Sequence, residues 1–579
     1  DSLMAAEVVT WLQSEFGLTV DPEALRTVGD VMLAACGEAV ATGPAALRAV
    51  PPKWFTRLPT PHRPDGLADM TVPQAFLAAA SADPGAVIAA DQASGAKTYR
   101  DLVTAVAALA GPVAALPGER VGVMMPASVA AGTLMLATML AGRTPVMVNW
   151  TGGAGILRRC LDSVGVQRIL TSRQLLGRLG SAGVDLSEVA DRFVAVEDIA
   201  AALHPADKIS AWARARTSWA PLRRAAAKAP PTAVVLFTSG SESVPKAVPL
   251  THRNLLTNVS DVWDCLHVAP SDSLLGILPP FHAFGLTVTV LLPWCLGLRV
   301  VYYPNPTDGV ALGRMIAAYK TTLLGGTPTF LHGIVRASTP EQLATLRLVV
   351  SGAETCPQRV YDALAQRCPR TVVMEGYGVT ECSPILSVSR EDDPRPGTIG
   401  RPLASVEHVL VDSETLQPTP SGTEGMLLVR GPSVFEGYLH YDGPSPFVEF
   451  DGRRWYRTGD LVRQAPDGVL TFAGRRKRFV KVGGEMVSLP AIEAVLAAHY
   501  GGPADDGPTL AVVATGGDDH PEIVLFTVAA ADRAEVNAHI RAAGLSGLHN
   551  VRRVIRVDEL PRLGTGKTDY RALADRLTE

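Results

Sequence analysis

The sequence predicts an α/β protein with a mostly parallel sheet, followed by a smaller α+β unit. Three observations carry that expectation. From Thr71 to about Gly474, short apolar β-like runs alternate with helical patterns: GVMMP, PVMVN, RIL, AVVLFT, GLRVVYY, RLVVSGAE and VVME. After about residue 405 the texture changes to short strands with Gly and Pro turns, and the last stretch, 475–579, reads as a compact mixed unit. The composition, 47% hydrophobic and 19% charged over 579 residues, is globular and long enough for several cores. The expected domains are a helical segment at 1–41, a Pro-rich linker at 42–70, a large domain at 71–474 and a small mobile domain at 475–579.

The elements follow in order. Met4, Val8, Leu12 and Phe16 fall on one helical face, and Gly17 is a C-terminal stop. Thr27 with Asp30 makes a capping box for a further helix through VMLAACGEA. Prolines at 44, 51, 52, 59, 61 and 64 mark the linker. Residues 121–142 run without a charge, long enough to be mistaken for a membrane span. Pro126 splits them into a strand and a small-residue helix, and the strand TPVMVN follows, which gives β-α-β. Residues 208–228 are basic, with Trp212 and Trp219 seven apart on one face and Pro221 as a breaker. That pattern is either a membrane-surface helix or a surface insertion resting its Trp residues on the body.

Composition excludes some classes. A net charge of −4 gives no global attraction to nucleic acid. Seven Cys without a C-x-x-C pair argue against a zinc site or a disulfide framework and fit a reducing compartment. Lysine is rare, 9 against 44 Arg, so the place of each Lys is informative.

Five stretches carry chemistry. In LFTSGSESVPKAVPLTH a β-like run enters a turn of small hydroxyl residues, and Lys246 adds a point charge. Successive backbone N–H groups there suit a phosphate. In MEGYGVTECSP, glycines admit a ligand to the backbone, Tyr377 offers a face to a base, and Thr380 and Glu381 suit phosphate and Mg²⁺. WYRTGDLV holds Asp460, a carboxylate suited to ribose hydroxyls. GRRKRFVKVGGEMVS holds Lys477 and Lys481, and LPRLGTGKTDYRAL holds Lys567 on a Gly-Thr-Gly turn. Four of the nine lysines fall in these stretches.

In order and spacing the five stretches resemble the adenylate-forming superfamily of acyl-CoA and aryl-CoA ligases, luciferase and peptide-synthetase adenylation domains. The resemblance covers about residues 71 to 579. VMVNWTGG, LFTSGSES, GRRKRFVKVGGEMVSLP and the HPADKIS insertion are similar to the acyl-ACP synthetase half of bifunctional 2-acylglycerophosphoethanolamine acyltransferase/acyl-ACP synthetases.

That resemblance implies two steps: a carboxylate attacks the α-phosphorus of ATP, then a thiol takes the acyl group from acyl-AMP. It implies that Thr238, Ser239, Gly240, Ser241, Glu242 and Lys246 hold the β- and γ-phosphates. Gly352, Ala353, Glu354, Glu375, Gly376, Tyr377 and Gly378 line the adenine. Thr380 and Glu381 meet the α-phosphate, Thr238 and Glu381 meet Mg²⁺, and Asp460 and Arg475 hold the ribose. Lys567 bridges carboxylate and phosphate in the first step. Lys477 is the hinge, and a domain swing brings up Lys481, Gly483 and Gly484 for the thioester step. His282, Phe284 and Gly285 form the acyl pocket. The family usually has Gly where Ser243 and Ala247 stand.

After PPFHAFG no acidic residue appears until Asp308, and a buried ammonium group requires one. The expected substrate is therefore a plain carboxylic acid, and LTVTVLLPW favours a fatty acid. Asp1-Ser2-Leu3 before an amphipathic helix resembles the 4′-phosphopantetheine site of acyl carrier proteins. The reading at this level is an acyl-ACP synthetase with Ser2 or a separate carrier protein as acceptor. It is cytoplasmic, associated with the inner face of the membrane, and part of a longer polypeptide.

Two alternatives stand beside it: a long- or medium-chain acyl-CoA ligase, and a glycerolipid acyltransferase using His267 and Asp272 of HVAPSD. The GTGKT at 564–568 is not a P-loop, because Pro561 stands where the first Gly is required.

Overall fold

A computed structural model of the chain describes residues 47–579, apart from 152, 182, 239–244, 476–477, 483–484, 501–508, 516–521, 544, 546, 563–567 and 579. The chain separates into two compact units, Asp1–Ala49 and Val50–Glu579. The helical segment expected at 1–41, with Ser2, lies outside the described residues.

In the second unit a large α/β domain precedes a smaller C-terminal one. Among the described residues, a nine-stranded sheet has six parallel strands at its centre, in the order Val372–Gly378, Leu348–Gly352, Leu323–Gly326, Ser273–Gly276, Arg299–Tyr302 and Val87–Asp91. A six-stranded sheet runs Phe193–Ala195, Ile169–Thr171, Arg120–Val123, Thr144–Met147, Thr232–Phe237 and Ala247–Thr251, with only the last pair antiparallel. A five-stranded antiparallel sheet follows, built on Arg453–Gln464. The C-terminal domain holds the hairpin of Phe479–Val482 with Glu485–Ser488. It also holds a three-stranded sheet whose helices Leu489–Tyr500, Arg533–Ala542 and Tyr570–Thr578 share its apolar clusters.

The chargeless run 121–142 forms the expected β-α-β. Its strand Arg120–Val123 feeds the helix Val129–Leu140, which is buried on nearly every face. At about 1.5 Å per residue that helix is far shorter than the ~30 Å hydrocarbon layer. Among the described residues no helix is long and apolar enough to cross a membrane. Gly132 is required where it stands: a Cβ there would lie 2.7 Å from the Trp294 ring.

The Pro-rich stretch is not a free linker over its whole length. Trp54 is fully buried, its indole N–H donates to Tyr319 O at 3.0 Å, and the Arg299 guanidinium lies 4.9 Å from its ring. A large aromatic ring with a satisfied N–H anchors the chain where proline count alone predicts a tether.

Residues 208–228 do not present two Trp on one face. The helix Pro205–Thr217 ends at an extended Ser218, and Trp219 turns inward to pack on the core and donate to Ala215 O at 3.0 Å. Trp212 stays outside with the Arg216 guanidinium 4.2 Å over its ring. The surface-insertion reading is the one that matches, and the expected membrane contact is withdrawn.

The acyltransferase alternative also fails on geometry. The Asp272 carboxylate is buried and taken up by Arg347, the Thr322 hydroxyl and the Ala269 amide, while the His267 amide donates to Glu391. The Asp272 carboxylate and the His267 backbone serve one structural ion network centred on Arg347, which leaves the carboxylate already taken up.

Candidate functional site

The candidate site gathers where three sheets approach each other. The central parallel strands contribute the C-terminal ends of Leu348–Gly352 and Val372–Gly378, the usual ligand side of such a sheet. Past Gly352 the chain turns through Ala353 at φ +71, a conformation a non-glycine residue holds only under constraint. Gly378 is forced by close approach: a Cβ there would lie 1.9 Å from Pro384 O.

The loop after Gly378 is fixed by buried amides and hydroxyls. Fully buried Asn258 donates to Ile385 O at 2.6 Å and accepts from Ile385 N at 3.2 Å. The Thr287 hydroxyl donates to Ser383 O at 2.9 Å. These bonds hold the short helix Thr380–Cys382, and with it the buried side chain of Glu381. Thr287 belongs to a π-helical turn, Leu286–Leu291, a geometry frequent at functional sites.

Three clusters result. In the first, the Tyr377 hydroxyl donates to Asp460 Oδ2 at 2.6 Å, and Arg475 Nε stands 3.2 Å from Asp460 Oδ1. Asp460 is 1% exposed, so this carboxylate is a buried charge held by a cation and a phenol. Burial, then the Asp460 charge, pushes the Tyr377 phenol well above its ordinary pKa, so it remains a donor.

In the second cluster the strands Thr232–Phe237 and Ala247–Thr251 form a hairpin. Its mouth is closed by Thr238 N to Lys246 O at 3.0 Å and Lys246 N to Thr238 Oγ1 at 3.1 Å. The Lys246 ammonium lies over the rings of Tyr438 and Tyr441, and the Tyr438 hydroxyl donates to Glu381 Oε1 at 2.6 Å.

The third is an apolar cavity. Phe284, Val288, Leu292, Val262 and Leu266 line it, together with the backbone of Gly352 and Gly376 and the Tyr377 side chain. Among the described residues its lining carries no charged side chain.

Several of the expected site residues fall in these three clusters, Thr238, Lys246, Gly352, Ala353, Tyr377, Glu381, Asp460 and Arg475 among them, and others do not. Glu375 is turned into the body instead of lining a ligand surface. Its carboxylate accepts from the Tyr361 hydroxyl, from Gly397 N at 2.8 Å and from Cys356 N at 3.3 Å. Phe284 lines the cavity, whereas the His282 ring meets Phe281 at 4.7 Å with the planes tilted by 56°, and Gly285 packs against Pro279 O. Glu354 accepts from the Thr329 hydroxyl at 3.3 Å. Lys481 belongs to the strand Phe479–Val482. Ser239, Gly240, Ser241, Glu242, Lys477, Gly483, Gly484 and Lys567 lie outside the described residues.

Among the described residues no group of three or more His, Cys, Asp or Glu could hold a metal. A lone buried carboxylate such as Glu381 fits Mg²⁺, which is bound through one or two carboxylates together with substrate phosphates.

A family profile described as AMP-binding enzyme matches residues 76–439, more than half of the chain. The chain belongs to the AMP-binding enzyme family. It is 32% identical over 355 residues to a long-chain-fatty-acid–CoA ligase of Salmonella typhimurium, a match spanning 59% of this chain and 61% of that protein. It is 27% identical over 357 residues to a 4-coumarate–CoA ligase of Pinus taeda, spanning 59% and 65%. Among solved structures it resembles ATP-bound MatB from Rhodopseudomonas palustris, with TM-score 0.72 and 25% identity over 88% of this chain and 99% of that one.

These findings correct the finer expectations. The two relatives are CoA ligases, so the assignment to the acyl-ACP synthetase half of a bifunctional enzyme does not stand. The phosphopantetheine cofactor and the carrier-protein acceptor fall with it, because they rested on that assignment and on Ser2.

Sequence reasoning missed Tyr438, Tyr441 and Tyr361. Nothing in FEGYLHY marks a site by charge or glycine spacing; the signal would have been two tyrosines spaced to sandwich one of the few lysines.

Proposed function

We propose that this AMP-binding enzyme is an AMP-forming acid–CoA ligase acting on a medium- or long-chain carboxylic acid. The observation that carries the reading is the apolar cavity of Phe284, Val288, Leu292, Val262 and Leu266, which Gly352 and Tyr377 also line. An alkyl chain bound there leaves its carboxylate near the two polar clusters. An ammonium-bearing acid would lack a counter-charge in that lining.

In this reading the Tyr377–Asp460–Arg475 cluster takes the ribose. The Thr238–Lys246 hairpin mouth takes the β- and γ-phosphates, where positive charge and N–H groups offset the repulsion between an anionic nucleophile and a polyanion. Mg²⁺, held by Glu381 and the phosphates, would neutralise charge on the leaving pyrophosphate. Glu375 supports the wall through Cys356 and Gly397. Lys567 is assigned to the first step, and Lys477 and Lys481 to the hinge and the thioester step, on their motifs alone.

The test follows pyrophosphate release from ATP with a series of saturated fatty acids, benzoate and an amino acid, with and without CoA. Acid-dependent release, acyl-AMP without CoA, and AMP with acyl-CoA when CoA is present are expected. Lys567→Ala should lower acyl-AMP formation by roughly 10²–10³, the scale of one lost charge-stabilising donor, and spare transfer from supplied acyl-AMP. Pyrophosphate release indifferent to every acid would overturn the reading.

A further inference from the structure

Lys246 and Glu381 carry opposite charges in one cleft. Left adjacent, they would pair with each other and offer little to a phosphate or a cation. Among the described residues no ion pair joins them. Tyr438 stands between: its hydroxyl donates to Glu381 Oε1 at 2.6 Å, and its ring centroid is 4.8 Å from Lys246 Nζ. Tyr441 offers a second ring 4.5 Å from the same ammonium. The two rings meet edge to face, 5.2 Å apart at 68°.

The segment that carries both rings is fastened at each charged residue. Phe435 N donates to Glu381 O at 2.8 Å, and Leu439 N donates to Ala247 O, next to Lys246, at 3.0 Å. His440 lies between the tyrosines at φ +48, a cost accepted only where the surroundings fix the backbone. Gly443 leaves room for the second ring: a Cβ there would lie 2.2 Å from the Tyr441 hydroxyl.

We infer that Tyr438 and Tyr441 are positioning residues that hold the Lys246 ammonium on their ring faces and Glu381 on a phenol hydrogen bond, keeping the two charges apart and available for phosphate and magnesium. The cation–π contacts hold the ammonium without neutralising it. The hydroxyl orients one carboxylate oxygen and leaves the other for the metal. This inference rests on reading the cleft as the Mg·ATP site.

Titration calorimetry with Mg·ATP on the full chain tests it, together with KM and kcat for acid-dependent pyrophosphate release. Tyr438→Phe and Tyr441→Leu should each raise Kd and KM for Mg·ATP roughly tenfold, the scale of a lost charge-assisted contact, with kcat nearly unchanged. Gly443→Ala, which crowds the Tyr441 ring, should do the same more weakly. Tyr441→Phe, which restores a ring, should behave as wild type. In a Lys246→Met background, which removes the ammonium the rings hold, Tyr441→Leu and Gly443→Ala should have little effect, whereas Tyr438→Phe should keep its loss, which acts through Glu381.

Equal losses for Tyr441→Leu with and without Lys246, Tyr441→Phe as impaired as Tyr441→Leu, or Tyr438→Phe without effect on Mg·ATP binding would overturn the clamp. Predicted coupling in Mg·ATP binding with no acid-dependent turnover would instead sink the ligase reading and leave the clamp standing. A wild-type chain that fails to bind Mg·ATP would sink both.

Discussion

Tyr377 donates its hydroxyl hydrogen to Asp460 Oδ2 at 2.6 Å across 83 residues of sequence, and so ties the last parallel strand of the large sheet to the antiparallel sheet behind it. Asp460 is buried, and each hydrogen bond it accepts offsets the cost of keeping a charge out of water. Tyr377→Phe removes one donor and leaves Arg475 in place. The expected result is a rise in KM for ATP of roughly ten- to a hundredfold, from the ~1.5–3 kcal/mol of a hydrogen bond to a charged group. Because the phenol is pushed well above its usual range, first by burial and then by Asp460, the ratio of wild type to variant should stay flat between pH 6 and 9. A ratio that changes with pH would assign the proton to another group.

The cavity makes a graded prediction. Each methylene moved from water into an apolar wall gains about 0.8 kcal/mol, close to fourfold in kcat/KM. Rates across a series of saturated acids should climb by that step and then level where the cavity ends. Val262→Phe, which enlarges a wall residue, should move the plateau to shorter acids and leave KM for ATP unchanged. An unchanged profile would place the acyl chain elsewhere.

Arg347 and Asp272 predict a stability effect. Asp272 is 2% exposed and Arg347 30% exposed, and Arg347 Nη2 lies 2.6 Å from Asp272 Oδ2. Burial works to raise the Asp272 carboxyl, but the Arg347, Ala269 and Thr322 hydrogen bonds and the Arg347 charge outweigh it, and the carboxyl sits below its usual range. A depressed carboxylate stabilises the native state above its unfolded pKa of about 3.9, and that stability is lost as pH falls through the folded value. Arg347→Leu strands the buried charge and should cost about 3 kcal/mol at pH 7, read by urea unfolding. Near pH 3 the gap between wild type and variant should shrink.

Much of the scaffold was legible because buried parallel strands have to be continuous apolar runs, and VVME or AVVLFT can be little else. The pairing of Thr232–Phe237 with Ala247–Thr251 brings Thr238 and Lys246 together, the two residues that the sequence sets at the ends of a turn of small hydroxyl residues. Glu375 and Glu381 show the limit. Both are buried acids in one motif, and only their tertiary neighbours decide that the first bonds to Tyr361, Cys356 and Gly397 while the second faces Tyr438. Trp219 was misread because a seven-residue spacing implies one face only while the helix continues, and Ser218 ends it. Tyr438 and Tyr441 were invisible because a cation–π contact to a lysine far back in the chain leaves no local pattern.

His252 makes the last prediction, in pH. It is 7% exposed at the start of the helix His252–Trp263. Its Nδ1 accepts from Val72 N at 3.0 Å, and its Nε2 hydrogen is given to Pro230 O at 2.9 Å. The ring is therefore neutral and clamps three segments together. Burial lowers its pKa to about 4, against the partial support of Pro230 O for the charged form. Above its unfolded pKa of about 6.5 the residue is neutral in both states and its contribution is complete. As pH falls, the unfolded chain takes up the proton first, so stability declines from about pH 6.5 until the folded pKa is reached. A shift of this size is worth roughly 3 kcal/mol over that window. Unfolding free energy measured in urea at pH 7.5, 6, 5 and 4.5 should show that decline in the wild type. His252→Gln, which offers an oxygen and an N–H but does not titrate, should be less stable at pH 7.5 and fall less steeply towards pH 4.5. Parallel curves for the two proteins would show that the acid sensitivity arises elsewhere.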